Sequence, residues 1–120
     1  MNPNTMTTDE CRDWLARDDG WDTKVATDPG GNRDTHPATG TYWVKGGHMK
    51  WDHPFPATLD AAARALPEPW CHTATIHIGN CNTVAQAFNS NLQRRTDGPT
   101  ELLARFRLAV ACRMACKEAK

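Results

Sequence analysis

The stretch that most constrains this chain is the run from Trp51 to Trp70, WDHPFPATLDAAARALPEPW, because it holds a start signal, a helix and a stop signal between two tryptophans. Thr58 can cap a helix N-terminus, and Asp60 then sits in the first turn, where the helix dipole favours a carboxylate. Leu59, Ala62, Ala63 and Leu66 recur at helical spacing. Two prolines push His53-Pro54-Phe55-Pro56 towards extended geometry, and Pro67 and Pro69 forbid the helix to continue. The stretch therefore predicts one short amphipathic helix with Trp51, Phe55 and Trp70 around its ends. Large aromatics are mostly buried, so the plain reading makes these rings lids on a core. The sharper reading makes one of them a stacking surface for a ligand.

The rest of the chain reads outward from that helix. Thr7 and Glu10 form a capping box, and Cys11, Trp14 and Leu15 follow on one face of a first helix that ends near Gly20. Residues 1–6 are polar and read as a disordered tail. Residues 22–40 are rich in Gly, Pro, Asp, Asn and Thr, and read as a mobile loop with room for a short edge strand near Lys24. Thr41 to Lys45 has strand composition, Gly46-Gly47 signals a hairpin, and His48 to Trp51 can pair back. Cys71 to Ile78 alternates, with Ala74, Ile76 and Ile78 on one side and Thr73, Thr75 and His77 on the other. After a turn at Gly79-Asn80, Thr83 to Phe88 fits either a returning strand or a helical turn, and Asn89 to Asp97 reads as a polar loop carrying Arg94-Arg95. Gly98-Pro99-Thr100-Glu101 opens the longest helix with proline at its first position, and Leu102, Leu103, Phe106, Ala109, Val110, Arg113 and Met114 mark a largely apolar face. The expected fold is a small layered α+β domain, helix-strand-strand-helix-strand-strand-helix with antiparallel sheet, in a single unit over residues 1–120.

Composition removes whole classes of function. No apolar run approaches the roughly 20 residues of a membrane span, and the first ten residues lack the basic-then-apolar pattern of a signal peptide. The expected location is the cytoplasm, with no membrane partner. Five cysteines, an odd number without matched pairs, suit a reducing compartment and give no metal-ligand spacing. No metal and no cofactor are expected. Five tryptophans against three Phe and one Tyr favour half-wet pockets and interfaces, since each indole brings apolar area and an N–H that needs a partner. Charge is neutral overall but unevenly spread: residues 1–35 hold four basic against eight acidic side chains, and residues 90–120 hold seven against three. Such ends can close on one another within the chain, drive formation of a homo-oligomer, or leave a basic surface for an anion.

The segments CRDWLARDDGW, DHPFPATLDAAARALPEPW and TELLARFRLAVACRMA resemble a family of small phage and prophage proteins, the phage ABA sandwich domain family. The likeness touches both ends and the middle of the chain, and leaves out residues 22–40 and the second hairpin. Its motifs are structural. Where the family pattern closes the central helix with Pro-Glu-Gly-Trp, this chain has Pro69 in place of the glycine. The resemblance implies a virus or mobile-element origin, hence a host cytoplasm, and supplies no chemistry.

No nucleophile elbow, phosphate-binding glycine loop, HExxH or paired Cys/His signature is present. Asp52 beside His53 could orient an imidazole, but neighbours on an extended chain point to opposite faces, which favours a packed structural role for His53. Arg94-Arg95 ahead of a helix start is a different signal: guanidinium forks hold phosphate, and orphan N–H groups at Thr100 and Glu101 could add donors. Solvation of the pair in a polar loop is the plain alternative. Trp43, Trp51 or Trp70 beside that loop would complete a nucleotide pocket with His53 contributing to base or ribose contact. Neutral charge and an acidic first third argue against extended nucleic acid. The expected function is therefore a phage-encoded sponge that counteracts host antiviral defence by sequestering a small anionic nucleotide-derived signal, of cyclic nucleotide or cyclic ADP-ribose type. Its expected ligand-binding residues are Arg94, Arg95, Trp43, Trp51, His53, Trp70 and Thr100, with no catalytic residue. Two alternatives are a protein-interaction module that inhibits a host enzyme, and a small phosphodiesterase using His53 or His77.

Overall fold

In the computed structural model, which describes residues 2–27, 39–79, 82–90 and 92–118, three α-helices and two three-stranded antiparallel sheets build an α+β domain. The expected order of helices and hairpins holds, and each hairpin gains a third strand.

Helix α1 spans Thr8–Asp18. The Thr7 hydroxyl accepts from the Glu10 N–H and the Glu10 carboxylate accepts from the Thr7 N–H, which satisfies two orphan donors at once. Gly20, at φ +100°, provides the left-handed residue that ends the turn. The expectation of a disordered tail fails from residue 2 onwards. Pro3–Thr5 form a 3₁₀ turn, Met6 is buried, and its carbonyl accepts from Arg107 Nε at 2.8 Å. Burial of Met6 in the core, together with hydrogen bonds at Met6 and Asn4, holds the segment against Arg107 and Asp97.

The first sheet runs β1 (Asp22–Thr27), β2 (Thr39–Lys45), β3 (His48–Lys50), in that order. Gly46, at φ +59°, turns β2 into β3, and Trp43 pairs with Lys50. The edge strand allowed near Lys24 is present as β1, and the reading of the rest of 22–40 as loop is too broad where β2 begins at Thr39. Residues 22–27 pair along β2 in unbroken register, as their β-branched Thr23 and Val25 favour. The remainder of that stretch, residues 28–38, lies outside the described residues.

Helix α2 spans Leu59–Ala65 and is capped by Thr58, whose hydroxyl accepts from the Ala61 N–H. It buries Ala61, Ala62 and Ala65, whereas Leu59 and Ala63 of the expected face are exposed. Small side chains win the inward positions because α2 packs directly on the longest helix. The Glu68–Pro69 peptide bond before Trp70 is cis.

The second sheet runs β4 (Cys71–Ile78), β5 (Asn82–Asn89), β6 (Leu92–Gly98). Thr83 to Phe88 is thus a strand. The polar stretch 89–97 is not a loop: Ser90, at φ +54°, turns the chain, and β6 pairs with β5 from Leu92 to Gly98. A strand at a sheet edge tolerates the Gln, Arg and Asp side chains that argued for a loop.

Helix α3 spans Glu101–Glu118. Thr100 caps it by accepting from the Leu103 N–H at 3.2 Å, so Pro99 precedes the cap instead of occupying the first helical position. Two sides of α3 are buried. Phe106, Ala109 and Val110 meet Cys11, Leu15 and Ala62, while Ala104, Leu108 and Cys112 meet Trp70, Ala85 and Ala87. The single apolar stripe read from the sequence covers only the side towards the other helices. A helix apolar on two sides is one enclosed between layers. Among the described residues no helix is long and apolar enough to cross a membrane.

Candidate functional site

The expected arginine fork does not form, because consecutive residues of a strand face opposite ways. Arg94 pairs with Ala87 and faces α3, with its guanidinium carbon 6.0 Å from the centre of the Trp70 ring and Nη1 donating to the Gln93 carbonyl at 3.1 Å. Arg95 pairs with Gln86 and leaves the other face; with the Gln86 amide oxygen turned towards it, Nη2 and Nε donate at 2.8 and 3.0 Å. Thr100 stands five residues beyond Arg95, past the end of β6, with its hydroxyl committed to the helix cap. The two arginines still border one open groove of about 280 Å³, between the β6 edge and the C-terminal half of α3, with Pro3, Met114 and Glu118.

Trp43, Trp51 and His53 lie on or beside the first sheet, and none of them lines the groove that Arg94 borders. Trp43 is buried: His53 is tilted against it at 4.7 Å, and the Arg17 guanidinium lies 5.8 Å from its ring. Neither partner leaves the indole face open for a base to stack. His53 Nδ1 accepts from the Phe55 N–H at 3.0 Å, which leaves the proton on Nε2 to donate to Asp13 Oδ1 at 2.7 Å. Both ring nitrogens are engaged, and the partner is Asp13, not the adjacent Asp52. Trp51 packs on Tyr42 at 5.2 Å, and its buried Nε1 has no acceptor among the described residues. Trp70 is 5% exposed. The seven expected ligand-binding residues therefore divide among three places. His77, on β4, sits 3.2 Å from the Thr83 hydroxyl through Nδ1, with no carboxylate bonded to it among the described residues.

What the sequence did not reveal is which face of β4 would be covered. Ala85, Ala87 and Thr96 turn inward to α3, with the Thr96 hydroxyl donating to the Ala104 carbonyl at 2.7 Å. By alternation, Ile76, Ile78, Val84 and Phe88 turn the other way. Val84 is covered by its neighbours, but Ile76, Ile78 and Phe88 remain 45%, 55% and 45% exposed. A half-solvated antiparallel sheet ordinarily points its apolar residues at the core, and here the order is reversed. The reason is steric: α3 lies close over β5 and β6, and the side chains packed directly beneath it are the small Ala85, Ala87 and Thr96. The alternation was legible in the sequence; its direction depended on where a helix 25 residues later would lie.

The two charged ends of the chain meet internally. Arg113 Nη1 lies 3.1 Å from Asp18 and 2.7 Å from Asp19, and Lys117 also pairs with Asp18. Of the three outcomes that the charge pattern allowed, closure within the chain is the one these residues adopt. Among the described residues no three His, Cys, Asp or Glu side chains gather as a metal site requires. No protein-family model, no curated protein and no solved structure matches this chain.

Proposed function

We propose that this protein acts by binding another protein through the open face of its second sheet, without catalysis, as an interaction module that inhibits a host enzyme or serves a phage as an accessory factor. The observation that carries this reading is the exposure of Ile76, Ile78 and Phe88 together on one sheet face. Burying the exposed half of each of these side chains on a partner is worth about 1 kcal/mol, and such rimmed apolar patches mark interaction sites. Arg95 and Asp97, on the β6 side of the same face, supply a polar rim. The phage origin comes from the family resemblance alone.

The test is capture from a lysate of the bacterial host by immobilised protein, wild type against the double variant Ile76→Glu, Phe88→Ser. A protein retained by the wild type and lost by a variant that melts at the same temperature supports the reading. Equal retention by both, or none by either, removes it.

A second reading, the sponge for a nucleotide-derived signal, keeps one specific support: Arg94 and Arg95 border the same groove, which is near the lower size limit for a small-molecule site. The indoles expected to stack on a base are engaged elsewhere, so Met114 and the alanines of α3 would have to serve instead. Thermal shift against cyclic dinucleotides, cyclic ADP-ribose isomers and linear nucleotides tests it, since a ligand that binds only the native state raises the melting point. A shift that Arg94→Ala abolishes, with the ligand recovered intact after heating, is the expected result for a sponge. A chemically altered ligand would point to the phosphodiesterase, and no shift would remove both.

A further inference from the structure

The two edges of the second sheet are not alike. On β6, Asn4 Oδ1 accepts from the Asp97 N–H at 3.4 Å, Arg107 Nη1 donates to the Asp97 carbonyl at 2.7 Å, and Arg94 covers the Gln93 carbonyl. Three side chains thus occupy that edge. They also fix which backbone groups point outward. Since Asp97 faces away from β5, Thr96 bonds to Ala85, Val84 bonds to Ile76, and the N–H and C=O of Thr75 and His77 face out from β4. Among the described residues nothing pairs with that edge. β4 carries no Lys, Asp, Glu or Pro, the residues that usually keep an edge strand from pairing, and its sequence TATIHI is neutral and strongly β-forming.

We infer that β4 pairs with β4 of a second copy of this chain, antiparallel about a two-fold axis, to make a continuous six-stranded sheet. Unlike the β6 edge, which three side chains occupy, the β4 edge has nothing paired to it among the described residues and so offers its outward backbone groups to another strand. An isologous contact needs a surface that complements itself. The register is determined by the outward residues. Centring the axis on Ile76 sets Thr75 opposite His77 of the other copy twice over, which forms four N–H···O bonds and avoids the irregularity at His72/Ala74. Ile76 then meets Ile76 across the axis as a non-hydrogen-bonded pair, the closer kind, with Ile78 beside Ala74. No charge opposes the approach. The pairing joins the two open faces into one apolar platform, and it holds whether or not that platform binds a further protein.

Sedimentation of the full chain over a range of concentrations tests the pairing, with wild type, His77→Pro and His77→Ser compared. Proline at 77 deletes an outward N–H and leaves the ladder to β5 intact, whereas serine removes the imidazole and keeps the N–H. The expected result is twice the chain mass for wild type and His77→Ser, and the single chain mass for a His77→Pro protein with unchanged circular dichroism. A wild type that stays at the single mass when concentrated overturns the inference, and so does a folded His77→Pro protein that remains dimeric. Should His77→Pro fail to fold, hydrogen exchange of the wild type decides. Thr75 and His77 amides that slow as concentration rises support the pairing, and amides that do not slow overturn it. Failure of the dimeric wild type to capture any partner would instead count against the proposed function alone.

Discussion

Arg113 reaches from α3 to place its Nη1 3.1 Å from the carboxylate of Asp18 at the end of α1, while its Nε donates to the Ala65 carbonyl at the end of α2 at 2.8 Å. One side chain, 12% exposed, therefore ties the C-terminal ends of two helices to a third. It also covers the ring of Phe55 at 5.8 Å. Without Arg113, Lys117 still pairs with Asp18, but the Ala65 carbonyl loses its donor and the Phe55 ring its cover, so Arg113→Ala should cost about 1–3 kcal/mol. Arg113→Lys should recover only part of that, because an ammonium cannot serve the carbonyl and both carboxylates in one plane. Urea denaturation of both variants measures the difference.

The same contact sets an acid limit. Burial alone would raise the Asp18 carboxyl, but hydrogen bonds and charge from Lys117 and Arg113 outweigh it and hold the group below the usual carboxylate range. A carboxyl depressed in the folded state binds a proton more readily when unfolded, so its contribution is complete above the unfolded value of about 3.9 and is lost as pH falls through the lower folded value. Thermal melts from pH 6 downward should show the wild type losing stability below about pH 4. Asp18→Asn should be less stable near neutrality and should lose less over the same acid range.

His53 is argued to be structural, and its replacement can be read on stability alone. His53→Ala removes the hydrogen bond to Asp13, the acceptor for the Phe55 N–H and the ring packed on Trp43. A cost of about 2–4 kcal/mol follows from an unsatisfied backbone donor together with lost aromatic packing. Trp43 fluorescence should redden as its indole gains water. A His53→Ala protein that melts like the wild type would show the three contacts to be dispensable and return His53 to the list of functional candidates.

Local signals in the sequence located the helices, and long-range ones escaped it. Thr7 with Glu10 and Thr58 act on donors three residues away, so the caps of α1 and α2 were readable, while at α3 the start was found but Pro99 was taken into the helix that Thr100 caps. Strand β6 was missed because what makes QRRTDG a strand is Ala85, Ala87 and Gln86 across the sheet, not anything within the segment. The Arg94-Arg95 fork was misread for the same reason: adjacency in sequence suggested parallel side chains, and membership in a strand sends the two apart. Cys112 and Ala115 were overlooked as core because the stripe that holds them serves a second layer. The open face of β4 could be read as an alternation but not as an outward one.

Thiol reactivity separates the two cores from the surface. Cys11 and Cys112 are fully buried, one between the helices and one between α3 and the second sheet, and burial pushes each thiol up to about 12. The thiolate is the reactive form, so at pH 8 both should resist iodoacetamide for as long as the fold holds. Among the described thiols, Cys71, exposed at the start of β4 with its Sγ 3.7 Å from the Pro69 carbonyl, should be modified first, and half-buried Cys116 more slowly. Mass mapping in the native state and again in urea distinguishes these sites. The two cores need not open together. If Cys112 becomes reactive at lower urea than Cys11, the layer between α3 and the second sheet separates before the three-helix core does, as its lining of alanines, with little apolar area to bury, predicts.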